Sequence, residues 1–138
     1  MDSFGVFKIS ASALEAQRKR MNIIASNLAN VHSTKTEAGG PYRRKDVVFT
    51  TERVGSNPGD GLEGVRVAAV VEDKRPPKVV YDPSHPDADE NGYVKLPNIN
   101  VIEEMVNMMM AVRAYEANVA TFNMSKGMLR RTLDLGRY

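Results

Sequence analysis

Residues 97–135, PNINVIEEMVNMMMAVRAYEANVATFNMSKGMLRRTLDL, repeat apolar side chains in steps of four and three with almost no interruption. The stripe runs Val101, Met105, Met108, Val112, Tyr115, Val119, Phe122, Lys126, Leu129 and Leu133, and only Lys126 is out of character. Such steps put one stripe on one face of a helix, with the heptad repeat of a coiled coil. Pro97 and Asn98 read as start signals. Glu103 and Glu104 place negative charge in the first turns, where the helix dipole favours it. Gly136 is a natural stop. Ile102, Val106, Met109 and Met110 widen the stripe, so this helix needs cover on more than one side. Either the rest of the chain or other copies must supply it.

A second helical stretch lies at the other end, over residues 3–30. Its seam is Phe7, Ser10, Leu14, Gln17, Met21, Ile24, Leu28 and Val31. Ser12 and Glu15 match a capping box, which predicts a restart or bend there. Ser10 and Gln17 are polar seam positions. They either fix register at some cost in stability or mark a less buried end.

Between the helices the pattern changes. Gly39, Gly40 and Pro41 mark a turn or open loop. Val47, Val48 and Phe49 form a first strand. Val65 to Val71 is the clearest strand, with Val65, Val67, Ala69 and Val71 on one face. Lys78 to Tyr81 and Tyr93 to Leu96 are two short strands around the turn-forming DPSHPDADENG segment. The fold class expected is α+β: long terminal helices paired as a coiled-coil-like unit, with a small β-rich middle. The expected division is residues 1–34 with 98–138 as a discontinuous helical domain, and residues 35–97 as the β-rich part. That middle is small enough to be marginal alone.

Composition excludes much chemistry. The chain has 138 residues, a formal net charge of +2 and no cysteine. Disulfides, thiolate metal sites and cysteine nucleophiles are ruled out together. So balanced a charge gives no electrostatic case for nucleic acid or anionic membrane. The beginning, MDSFGVFKIS, lacks the apolar core of a cleaved signal peptide, so export by a signal-independent route is expected if the protein leaves the cytoplasm.

Asp87, Asp89, Asn91 and Gly92 copy the first half of an EF-hand loop. Asn98 stands where the bidentate Glu is required, so an Asx-turn is the better account. His32 and His85 have no second histidine or cysteine nearby and read as solvated loop residues. Gly55, Gly59, Gly61 and Gly64 lack the G-K-[ST] of a phosphate loop, and no G-x-S-x-G elbow exists. No cofactor, metal, catalytic residue or small-molecule substrate is therefore expected. Arg18-Lys19-Arg20 and Arg43-Arg44-Lys45 read as solvated faces or subunit salt bridges. Met108-Met109-Met110 reads as helix core or as an adaptable surface for non-identical neighbours.

Several segments resemble one family. Ser26, Asn27, Leu28, Ala29 and Asn30 look like the N-terminal motif of bacterial flagellar rod and hook axial proteins, and Pro41-Tyr42-Arg43-Arg44 resembles the loop that follows it. The segment from Asp87 to Val94, then Glu104-Met105-Val106 and Arg113-Ala114-Tyr115-Glu116-Ala117-Asn118, is similar to proximal rod members of that family. The resemblance implies a non-enzymatic structural subunit. It implies export through the flagellar type III apparatus without signal cleavage, and helical assembly with other rod proteins and with copies of itself. The rod would span the periplasm within the basal body and carry torque from motor to hook, with no nucleic acid partner and no membrane insertion. The seam residues expected at subunit interfaces are Leu14, Met21, Ile24, Leu28, Val101, Met105, Met108, Val112, Tyr115, Val119, Phe122, Leu129 and Leu133. The competing class is a binding module: a cytoplasmic coiled-coil adaptor or export partner.

Overall fold

A computed structural model describes residues 4–55, 59 and 61–137. The order is α1 (Gly5–Ala29), β1 (Lys45–Arg53), β2 (Glu63–Glu72), β3 (Lys78–Tyr81), β4 (Tyr93–Leu96) and α2 (Val101–Leu135). The architecture is α+β, as the periodicities predict. The helices run antiparallel. Phe7 meets Phe122 edge-to-face at 5.1 Å between ring centroids, and at the other end Asn27 meets Glu104. Among the described residues no helix is long and apolar enough to cross a membrane.

The seam read for α1 lies on its covered side, with Ser10 and Ile24 buried and Phe7, Leu14, Gln17, Met21, Leu28 and Val31 half-buried. Gly5, Ala16 and Asn27, outside that seam, are buried as well. The capping box is not used. The helix runs unbroken through Ser12. Ser12 Oγ donates to the Ile9 carbonyl at 2.7 Å and accepts from the Val65 N–H at 3.1 Å. A hydroxyl that returns to its own helix backbone can stay inside a helix, and here it also pins β2. Gly64 is buried beside it, where an added Cβ would lie 2.6 Å from Ser12 Oγ.

The N-cap of α2 falls two residues past Asn98. Asn100 is the N-cap, and its side chain accepts from the N–H groups of Ile102 and Glu103. Asn suits that position because its carbonyl oxygen reaches back to the free amides of the first turn. The larger correction concerns the stripe. Met108, Tyr115, Phe122 and Leu129 are half-buried, but Val101, Met105, Val112, Val119 and Leu133 are exposed. The second inward column is one residue earlier: Glu104, Ala111, Asn118 and Ser125. Small and hydrogen-bonded residues let the helices approach closely, and Ala111 is fully enclosed. A reading by apolarity alone selects the larger neighbours instead.

β1 and β2 form an antiparallel hairpin that lies on α1. Val48 pairs with Ala69 and Phe49 with Val67, so Ala68 has no partner and forms a bulge. The bulge locally interrupts the period of two. Val65 and Val67 are half-buried as predicted, but Ala69 and Val71 are exposed, because from Ala68 to Glu72 the strand is open on both faces. β3 and β4 form a separate hairpin, stiffened by the edge-to-face pair Tyr81–Tyr93. The turn between them is built from Asx contacts, with Asp89 Oδ1 accepting from the N–H groups of Asn91 and Tyr93. His85 is not merely solvated. It is half-buried, and its Nδ1 accepts the Asp87 N–H at 3.0 Å.

Candidate functional site: a polar clamp beneath an apolar face

Asn27 and Glu104 are the largest fully buried side chains among the described residues. Asn27 sits near the end of α1 and Glu104 in the first turn of α2. The chain segment entering β1 passes beside the pair. Asn27 Nδ2 donates to the Lys45 carbonyl at 2.8 Å and to Glu104 Oε2 at 3.0 Å. Its Oδ1 accepts from the Lys45 N–H at 2.9 Å and from Tyr42 Oη at 3.1 Å. Both donor hydrogens and both acceptor sites of the amide are therefore used. Glu104 Oε1 accepts from Arg44 Nε at 2.6 Å. Arg44 Nη1 reaches Asp46 Oδ2 at 3.2 Å.

A buried carboxylate is tolerated only when paired and hydrogen-bonded, and Glu104 meets both conditions. Burial pulls the Arg44 guanidinium below its ordinary value. The hydrogen bond and charge of Glu104, followed by those of Asp46, outweigh that and leave it raised. The guanidinium therefore stays charged, with Glu104 Oε1 at 2.6 Å as its nearest acceptor. Arg44 is thus not a solvated charge, and its partner lies within the same chain. Sequence reading missed this pair. The available signal was an acid in the inward column of a methionine-rich helix.

The family-like residues divide accordingly. Asn27 is the centre of the clamp. Leu28 is half-buried and Ala29 exposed. The Asn30 amide donates to the Ser26 carbonyl, and its Oδ1 accepts from Ser33 Oγ, closing the end of α1. On α2, Ala114, Tyr115 and Asn118 are half-buried, whereas Ala117 is exposed. Arg113 and Glu116 are exposed too and pair at 3.1 Å.

The outward surface of α2 is the other part of the site. Ile102, Met105, Val106, Met109 and Met110 are each about half exposed or more, with Ile102 at 74% and Met109 at 66%. Met124, Met128, Leu133 and Leu135 extend the apolar surface toward the far end. Among the described residues, α2 packs on no other helix or strand than α1.

Residues 7–35 match the family described as flagella basal body rod protein. Residues 90–135 match the C-terminal family of flagellar basal body rod FlgEFG proteins. The flagellar basal-body rod protein FlgC of Salmonella typhimurium is 50% identical over 137 residues, covering 99% of this chain and 100% of that one. Those of Borreliella burgdorferi and Bacillus subtilis are 44% and 40% identical, each with at least 98% of both chains covered. The chain therefore belongs to the FlgC family of flagellar basal-body rod proteins, structural subunits of the rod.

Proposed function

We propose that the outward face of α2 is the surface through which this subunit assembles helically, with other rod proteins and with copies of itself. The observation that carries this is the apolar stripe of Ile102, Met105, Val106, Met109 and Met110, left uncovered on the side away from α1. The seam residues Val101, Val112, Val119 and Leu133 join it. In this reading Leu14, Met21, Ile24, Leu28, Met108, Tyr115, Phe122 and Leu129 hold the helix pair together and shape the face from beneath. Methionine suits a surface that must meet non-identical neighbours, because its side chain adapts to each.

The subunit is read as non-enzymatic and as needing no cofactor. It would stand in the proximal part of the rod, cross the periplasm within the basal body and carry torque from motor to hook. The buried clamp suits that load, since it locks the helix pair to the chain entering β1. Delivery would be through the flagellar type III apparatus, without a cleaved signal. Residues 1–34 with 98–138 would form the axial core, and residues 35–97 the outer part.

Imaging is the test. The purified chain mixed with its rod partners should give short helical rods, and Met109→Asp should abolish them while leaving the fold intact. Closed dimers in place of rods would overturn the reading, because only a heterologous, non-closing contact builds an open helix.

A further inference from the structure

The loop that supplies Arg44 to the clamp carries a second arginine with a different fate. Arg44 is neutralised by Glu104 and Asp46. Arg75 across the cleft is gripped by Asp73, with Nε to Oδ2 at 2.7 Å. Arg43 is exposed and has no carboxylate partner among the described residues. Its Nη1 reaches only the Asp73 carbonyl, at 3.5 Å. Arg43 lines a cleft of about 100 Å³ between the 39–44 loop and residues Asp73, Arg75 and Pro77. Asn98 lines the same cleft, and its side-chain amide makes no hydrogen bond among the described residues. A guanidinium fork and a free amide facing one small cleft are donors suited to a carboxylate.

The chain offers a carboxylate in the complementary setting. Glu90 is exposed at the tip of the β3–β4 turn and makes no ion pair or hydrogen bond among the described residues. The tip is stiff. The Gly92 N–H donates to the Asp89 carbonyl at 3.0 Å, and Asp89 Oδ1 holds the N–H groups of Asn91 and Tyr93. Gly92 has a φ of 81°, the left-handed conformation that favours glycine. The whole turn is anchored to the 31–41 segment by Asp87, through Thr34 at 2.7 Å and Lys35 at 2.6 Å. Glu90 is thus presented with little conformational freedom left to lose on binding.

We propose that the Arg43 cleft receives the Glu90 tip of a second copy of this chain. Cleft and tip are different surfaces, so the contact is heterologous and repeats from one subunit to the next without closing on itself. It would set register between copies, which the adaptable apolar face of α2 cannot do alone, because charge complementarity excludes wrong alignments. The inference rests on the rod reading and adds one specific contact to it.

The chain has no cysteine, which makes crosslinking clean. Arg43→Cys and Glu90→Cys are introduced together into the full-length chain. Rods assembled in cells lacking their own copy are treated with a short bismaleimide. A ladder of multimers made of this chain alone is expected, and neither single variant should give it. In parallel, Arg43→Glu and Glu90→Lys should each lower the yield of complete rods at least about tenfold, since like charges face each other. The double reversal should restore the yield to within about threefold. Unchanged thermal midpoints of the purified variants would establish that folding is not the cause. No ladder, a crosslink to a different protein, or a double reversal as poor as the singles would overturn the contact while leaving the rod reading standing. If the unmutated chain enters no rod at all, the rod reading falls and takes this contact with it.

Discussion

Asn27 Nδ2 donates to Glu104 Oε2 at 3.0 Å across 77 positions of sequence, and every polar atom of the Asn27 amide is used in the same cluster. The two ends of the chain are thus joined by a hydrogen bond that neither can replace with water, because both residues are enclosed. Lys45 and Tyr42 share the amide, so entry into β1 is coupled to docking of α2 on α1.

Glu104→Ala is expected to lower stability by about 3–5 kcal/mol, since Arg44 would be left half-buried without its main partner. Asn27→Ala removes four hydrogen bonds and orphans the Lys45 backbone. The two substitutions touch one network, so their effects should not add, and a coupling of about 0.5–3 kcal/mol is expected in a double-mutant cycle. Urea unfolding measures all three. Strict additivity would mean the cluster is two unrelated contacts.

Gly64→Ala tests the attachment of β2 to α1. A Cβ there would lie 2.6 Å from Ser12 Oγ and 2.7 Å from Val54 Cγ2. The hairpin must shift or the side chains must leave their rotamers, at a cost of about 1–3 kcal/mol. Ser12→Ala does not rescue it, because the Val54 contact remains and the Val65 N–H loses its acceptor. A thermal midpoint unchanged by Gly64→Ala would show that the hairpin rides loosely on the helix.

Acid should loosen two outer ties of the fold. The hydrogen bonds from Arg75 hold the Asp73 carboxyl down at about 2. The Asp87 carboxyl is lowered too, first by the Lys35 hydrogen bond and then by that of Thr34. Both are depressed in the folded chain, so their stabilisation is complete above the ordinary carboxylate range. It is lost as pH falls from about 4 toward each folded value. Denaturant midpoints recorded from pH 5 down to pH 2 should decline, and Asp73→Asn with Asp87→Asn should flatten that decline. Both partners are solvent-accessible, so the slope is shallow. A slope identical in the double variant would assign the acid loss to other carboxylates.

Legibility differed between elements for physical reasons. The seam of α1 could be read in part, because Phe7, Leu14, Met21, Ile24 and Leu28 are large and apolar, whereas the buried Gly5, Ala16 and Asn27 carry no apolar signal. β3 and β4 could be read because turn-forming residues bound them on each side. The face of β2 could be read only in its first half, since from Ala68 onward both faces are open and a run of valines and alanines does not mark where cover ends. In α2 the heptad was legible and its phase only half so. Met108 and Tyr115 are in both the read and the observed columns, but Ala111 and Glu104 hold places that apolarity assigns to Val112 and Met105. The clamp escaped for the same reason. Glu104 reads as a dipole charge in a first turn until Arg44 and Asn27 are brought to it.

That half-register shift in α2 separates folding from assembly, and one pair of substitutions can tell them apart. Ala111 is fully enclosed at the crossing with α1. Ala111→Leu adds volume where none is free, and should destabilise the isolated subunit by about 1–3 kcal/mol or more. Met109 is two residues earlier and 66% exposed. Met109→Asp places a carboxylate in water in the free subunit, so its stability should stay within about 0.5 kcal/mol of the parent. In a rod that covers this face the same carboxylate would be buried without a partner, which costs several kcal/mol per subunit. Unfolding curves of the free chain and electron microscopy of assembled rods give the two readouts. Ala111→Leu should move the first, and Met109→Asp only the second. If Met109→Asp destabilises the free subunit as much as Ala111→Leu does, that face is already covered within the chain. If Met109→Asp builds rods normally, the assembly surface lies elsewhere on the molecule.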